Sequence, residues 1–147
     1  MKNLLYIFPF IVLGLFMYLE SSANKNSTEE GIQFFHGTWE QALQKSAAEK
    51  KPIFLDIYAT WCGPCKMLMG LTFPDKKVGE YFNEHFINVE IDGESTEGEE
   101  LAAQYNIRGY PSLFVIGSSG KVITGSSGYR SPSELIQFGK SAILKSK

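Results

Sequence analysis

Cys62 and Cys65, the only cysteines in the chain, stand two residues apart with Gly63 and Pro64 between them. An apolar run, Ile53 to Ala59, precedes them, and a helical run beginning Lys66-Met67-Leu68-Met69 follows. At a helix start the unpaired N–H groups and the positive end of the dipole favour a thiolate on Cys62. One helical turn puts both sulfurs on the same side, within bonding reach. Gly63-Pro64 supplies a tight bend, and Pro64 lacks an N–H that would go unpaired in the first turn anyway. Trp61 is placed to shield the pair while leaving one sulfur, that of Cys62, reachable. Such a pair suits reversible thiol–disulfide exchange. A static short-loop disulfide and half of an intersubunit metal site are the other chemistries it allows. A Cys2His2 zinc site would have to recruit His36 and His85, whose spacings match no common finger. Covalent haem attachment needs a histidine where Lys66 stands. The exchange chemistry requires no metal and no other cofactor.

Asp56 is out of character in its apolar run. A carboxylate there is costly unless paired, and burial raises its pKa. That suits Asp56 to take a proton from Cys65, the less exposed cysteine. A locally hydrogen-bonded aspartate at a sheet edge is the bland alternative. Pro111 follows Tyr110 and precedes the apolar run Leu113 to Ile116, where a cis bond makes a tight start to a strand. Its missing N–H leaves the backbone groups of Tyr110 and Ser112 to pair with an extended peptide near the sulfurs. An ordinary trans proline is the alternative.

The remaining outliers read as structural. His36 and His85 are expected at the surface or at a helix end. The acids Glu90, Asp92, Glu94, Glu97, Glu99 and Glu100 read as a solvated face around a helix start, or as a surface that steers a basic partner. Trp39, Tyr58, Met67 and Met69 are expected to pack rather than to form a cofactor surface.

Positioning these groups requires a sheet and helices. Thr38-Trp39-Glu40-Gln41 fits a capping box for a helix whose apolar face is Trp39, Ala42 and Leu43, ended by Glu49-Lys50-Lys51 and Pro52. Ile53 to Ala59 reads as a strand covered on both faces, of the kind found in parallel sheets. Pro74 kinks or stops the helix after the cysteines, and Asp75 caps its resumption through Val78, Tyr81 and Phe82. Phe86 to Ile91 is a second strand. Thr96 with Glu99 predicts another capping box and a short helix. Leu113–Ile116 and Val122–Thr124 read as an antiparallel hairpin, and Ser131-Pro132-Ser133-Glu134 starts a last helix with Leu135, Ile136, Phe138 and Ile143 inward. The layout is α/β, a mixed sheet with helices on both faces.

The 147 residues suit one domain, and a 44% apolar fraction suffices for a core. The net charge of -2 offers no basic surplus for a nucleic acid. Two cysteines exclude a multi-disulfide framework and a four-cysteine metal site within one chain. Lys2, the apolar core Leu4 to Leu19 and the small residues Ser21 and Ala23 make residues 1–23 a signal peptide or an N-terminal membrane anchor. The apolar core would span about 24 Å as a helix, short of the roughly 30 Å of a bilayer interior. Either reading places the rest outside the cytoplasm: exported, periplasmic, or anchored and facing the periplasm. Residues 24–37 form a polar lead-in, and residues 38–147 form the domain.

The stretch Leu55-Asp56-Ile57-Tyr58-Ala59-Thr60-Trp61-Cys62-Gly63-Pro64-Cys65-Lys66 resembles the active-site strand, loop and helix of the thioredoxin family. Ile107-Arg108-Gly109-Tyr110-Pro111-Ser112 is similar to that family's second active-site loop, and the likeness runs from about Trp39 to Leu144. It implies a thioredoxin-like fold with Cys62 as attacking thiolate, Cys65 as resolving thiol and Asp56 as buried proton acceptor. Pro111 would be the cis proline facing the dithiol, and Gly128-Tyr129 would match the loop beside the substrate groove. Thr72-Phe73-Pro74-Asp75 resembles exported thioredoxin-like proteins and the C-terminal domain of membrane thiol–disulfide interchange proteins. One departure stands out: Asn88 occupies the place where many thioredoxins have a lysine near the buried aspartate. The resemblance implies a thiol–disulfide oxidoreductase that reduces protein disulfides outside the cytoplasm, and a reductant in an oxidising compartment needs a membrane-embedded electron donor. A disulfide donor or isomerase, and a non-catalytic binding module with a structural disulfide, are the rival readings.

Overall fold

A computed structural model describes residues 30–146. The expected leader at 1–23 and residues 24–29 of the lead-in lie outside the described residues.

The first helix, α1 (Trp39–Glu49), starts at the expected capping box: Thr38 Oγ1 accepts the Gln41 N–H at 3.2 Å, and Gln41 Oε1 accepts the Thr38 N–H at 3.0 Å. The central strand β1 (Ile53–Tyr58) leads to α2 (Gly63–Met67), which runs on as a π-helical turn over Leu68–Thr72. After Pro74, Asp75 Oδ1 caps α3 (Lys76–His85) by accepting the N–H groups of Lys77 and Val78. Then come β2 (Ile87–Asp92), α4 (Thr96–Gln104), β3 (Ser112–Ile116), β4 (Val122–Ser127) and α5 (Pro132–Lys145). At the start of α5 the Glu134 carboxylate accepts the Ser131 N–H at 2.8 Å.

The cap of α4 differs from expectation. Ser95, one residue ahead of Thr96, is the capping residue, and its Oγ accepts the Gly98 N–H at 3.1 Å. A turn in which Asp92 O accepts from both the N–H and the hydroxyl of Ser95 fixes that choice. Residues 31–35 also pack on the sheet, ahead of the expected domain start at Thr38. Ile32 is buried, its N–H bonds to Phe73 O, and Phe34 forms a parallel bridge with Asn88.

The sheet order is β2-β1-β3-β4, with β1 parallel to β2 and antiparallel to β3. Parallel pairing of β1 with β2 demands a crossover, which α2 and α3 supply. Alternation along β1 splits its side chains between two layers. Phe54 joins Leu68, Phe73, Phe82, Leu113, Leu135 and Phe138 on one side, under α2, α3 and α5. Ile53, Leu55 and Ile57 join Trp39, Ala42, Val89 and Leu101 on the other, under α1 and α4. The α/β sheet with helices on both faces is thus observed.

Phe82 is fully buried, with its ring centroid 4.7 Å from that of Phe54. Phe82→Ala is expected to cost about 3–5 kcal/mol in urea unfolding; a loss below about 1 kcal/mol would mean the helical layer is not the principal core.

Candidate active site

Cys62 caps the N-terminus of α2, and its Sγ accepts the Cys65 N–H at 3.2 Å. The two cysteines are joined in a disulfide, with Cα atoms 5.3 Å apart. A hydrogen bond to the N-cap sulfur favours its thiolate when the bond is reduced. The expectation of a freely reachable Cys62 is corrected: it is 3% exposed and Cys65 1%. Ala59, with Tyr58 and Tyr110 against it, packs around the pair. Cys62 keeps the larger exposure by a narrow margin.

Gly63 and Pro64 lie exposed beside the buried sulfurs. Trp61 is 66% exposed, donates its indole N–H to Glu94 at 2.7 Å, and stands edge-on to Tyr110 with ring centroids 6.0 Å apart. Gly93 makes room for Tyr110: a Cβ there would sit 2.5 Å from the ring. Burial first, then the charges of Glu94, Asp92 and Glu99, raise the Tyr110 pKa. The Tyr110–Pro111 peptide bond is cis, and Pro111 is buried. Gly128, at φ +86°, donates its N–H to Pro111 O at 3.0 Å. That contact brings the 128–129 turn to the proline loop, whereas Tyr129 packs against the core that holds Leu135 and Phe138.

Asp56 lies on the central strand, between Glu90 of β2 and Leu113 of β3. It is not at a sheet edge. It is fully buried, and among the described residues no donor reaches either carboxylate oxygen. Desolvation, followed by the charge of Glu90, pushes its pKa up to about 8. A carboxylic acid that ionises near neutrality can accept or donate a proton without a large driving force. Alternation puts Asp56 on the same face as Phe54, the side covered by the helix that carries the cysteines.

Other expectations change. Met67 and Met69 do not pack: both are nearly half exposed, and Leu71 beside them is more so. The inward stripe of this helix is Cys65, Leu68 and Thr72, and the methionines fall off it. Trp39 is buried as expected. His85 ends α3, its Nδ1 at 2.9 Å from Tyr81 O, and His36 is exposed. The six acids are not one solvated face. Glu97 accepts the Trp39 N–H at 2.7 Å, Glu94 holds Trp61, and Glu90 lies half-buried beside Asp56. The period-2 alternation of β2 puts Glu90 on one face with Asn88 and Asp92, and only the register with β1 sets it beside Asp56.

In the fold Asp56 is half-ionised at about pH 8, leaving a minority of carboxylate at neutrality, whereas it ionises near pH 4 once exposed. Between those values the unfolded chain binds fewer protons, so stability falls as pH rises through the interval. Asp56→Ala removes most of that slope. Urea titrations at about pH 5 and about pH 8.5 are expected to show the variant gaining roughly 2–5 kcal/mol on wild type across the interval. Wild-type stability that is as high at the upper pH contradicts a carboxyl held protonated.

Comparison with known proteins gives three kinds of likeness. A family model described as a thioredoxin-like domain matches residues 39–143. A thioredoxin-like protein of Synechocystis is 33% identical over 91 residues, covering 62% of this chain and 81% of its own. The thiol:disulfide interchange protein DsbD of Actinobacillus pleuropneumoniae is 33% identical over 82 residues, 55% of this chain but 14% of that longer protein. The solution structure of a candidate disulphide-isomerase from Bacteroides thetaiotaomicron superposes with a TM-score of 0.69 at 39% identity. That superposition covers 78% of this chain and 94% of the other.

Proposed function

The chain belongs to the thioredoxin-like domain family, and on that premise we propose that it reduces protein disulfides outside the cytoplasm through the Cys62–Cys65 dithiol. The observation that carries this is the disulfide itself, set across the first turn of α2 with the Cys62 sulfur accepting the Cys65 N–H. The cis Pro111 loop, buttressed by Gly128, completes the arrangement. The resemblance to the thioredoxin active site assigns the roles.

Reduced Cys62 attacks a substrate disulfide as the thiolate, forming a mixed disulfide and releasing the first substrate sulfur. Asp56 takes the proton from Cys65. The Cys65 thiolate then attacks Cys62, the intramolecular disulfide forms, and the second substrate sulfur leaves with its electron pair. Trp61, Gly63, Pro64, Tyr110 and Tyr129 are assigned to the rim that receives an extended substrate segment. Gly63-Pro64 between the cysteines resembles the reducing members of the family, which supports this direction.

The segment 1–23, read as a signal peptide or anchor, supports an extracytoplasmic site of action, periplasmic or membrane-bound. The likeness to DsbD supports the same placement. In an oxidising compartment a reductant must be recharged, so a membrane-embedded protein that supplies electrons is the proposed partner. A second reading, disulfide donor or isomerase, is favoured by the likeness to the Bacteroides protein.

Two measurements separate these. Cys65→Ser in the full chain is expected to accumulate a covalent adduct with its protein substrate through Cys62, and Cys62→Ser is expected to abolish both adduct and disulfide reduction. Absence of any thiol-sensitive adduct would favour a structural disulfide in a binding module. The reduction potential is expected nearer about -270 mV than about -120 mV, and a value at the upper end reverses the proposed direction.

A further inference from the structure

Glu90 stands beside Asp56 in the parallel register of β1 and β2, on neighbouring strands about 4.8 Å apart. Residues opposite one another in that register share a sheet face, so both carboxyl groups belong to the layer under the cysteine-bearing helix. Their surroundings differ. Asp56 is fully buried, without a hydrogen bond among the described residues. Glu90 is half-buried and lines an open groove of about 240 Å³ with Glu30, Ile32, Phe34, Met69 and Phe73. One carboxyl group is sealed, and its neighbour opens to water.

The rest of that face strengthens the pairing. Asn88 fills the place where the family resemblance implies a lysine, and its amide nitrogen donates to Gln33 O and to Asn83 Oδ1. Asp56 thus has an anion beside it and no cation in the expected slot. Two neighbouring carboxylates resist ionising together. Both acids are raised: Asp56 by burial first and then by the charge of Glu90, and Glu90 by burial, against the lowering effect of His36. The titratable groups facing Glu90 are Asp56 and Tyr58 from β1, Asp92 along β2, and His36 and Glu30 from the N-terminal segment. The helical side of the groove contributes the uncharged Met69, Phe73 and Pro74. Among these groups Glu90 alone both adjoins Asp56 in the register and lines the groove.

We propose that Glu90 is the solvent-side member of a proton relay that empties Asp56, a positioning residue acting on the cysteines through it. The proposal rests on the dithiol chemistry above. Cys65 S–H gives its proton to the Asp56 carboxylate, and the thiolate attacks Cys62 Sγ. The Cys62–Cys65 bond forms, the bond to substrate breaks, and the substrate sulfur leaves with the electron pair. The cysteine pair is oxidised by two electrons and the substrate disulfide is reduced by the same two. The Asp56 carboxylic acid then passes its proton through one bridging water to the Glu90 carboxylate, which releases it to water in the groove.

The test compares the full chain with Glu90→Gln and Glu90→Asp, following the Asp56 carboxyl carbon by NMR against pH and measuring insulin disulfide reduction in parallel. Glu90→Gln is expected to lower the Asp56 midpoint by at least about half a pH unit and to slow reduction about tenfold. Glu90→Asp is expected to restore most of both, and it supplies the readout should the glutamine variant not fold. An unmoved Asp56 midpoint with unchanged reduction overturns the proposal, and so does a moved midpoint with an unchanged rate, which would leave electrostatic coupling without proton transfer. Wild type that reduces no disulfide defeats the reductase reading and the relay with it. An active wild type matched by an equally active Glu90→Gln defeats the relay alone.

Discussion

A carboxyl group placed in the middle of an apolar sheet, with no hydrogen-bond partner among the described residues, is the constraint on which the rest of the site depends. Asp56 is on the central strand, flanked by strands on both sides and capped by the helical layer. Desolvation of the ion costs several kcal/mol, so the group stays neutral over the range where an exposed aspartate is fully charged. The fold tolerates this because the surrounding apolar contacts are extensive: Phe54 on the same face packs against both Phe73 and Phe82. An apolar residue at position 56 would stabilise the sheet. A titratable one is what the proposed proton transfer from Cys65 requires.

The dithiol is set by local geometry and the groups around it by long-range geometry. Cys62 as helix cap and Cys65 one turn on require only the sequence from 62 to 65. Tyr110, Pro111 and Gly128 arrive from distant segments, held by the bond from Gly128 to Pro111 and by the space Gly93 leaves for the tyrosine ring. Glu94 anchors Trp61 from yet another turn. The disulfide therefore lies where four chain segments meet, and exposure at its sulfurs is governed by Tyr58 and Tyr110 more than by the tryptophan.

How far the sequence could be read follows from the range of the forces involved. The caps at Thr38, Asp75 and Ser131 are contacts within three residues, so residue type and spacing reveal them. Ser95 and Thr96 are both competent caps, and a tertiary turn at Asp92 decides between them. The buried aspartate is legible because its neighbours are all apolar. Glu90 is not, because its importance comes from alignment of two strands separated by a whole crossover. Met67 and Met69 mislead because the inward stripe of their helix includes Cys65 and Thr72, which hydropathy alone does not mark as core. Residues 31–35 escape notice because they form one bridge and a few backbone bonds, with no period to detect.

That short bridge has a consequence for self-association. A four-stranded sheet has two outer borders, and unpaired backbone on a border is a template for joining another molecule. Here Phe34 and Phe35 lie along β2, with the Phe35 N–H donating to Asn88 O, so one border is screened by the chain's own preceding residues. The opposite border, β4, is rich in serine and glycine and is irregular where Val115 and Ile116 meet it. Among the described residues neither border offers a long, flat, apolar ribbon on which a second copy could extend the sheet.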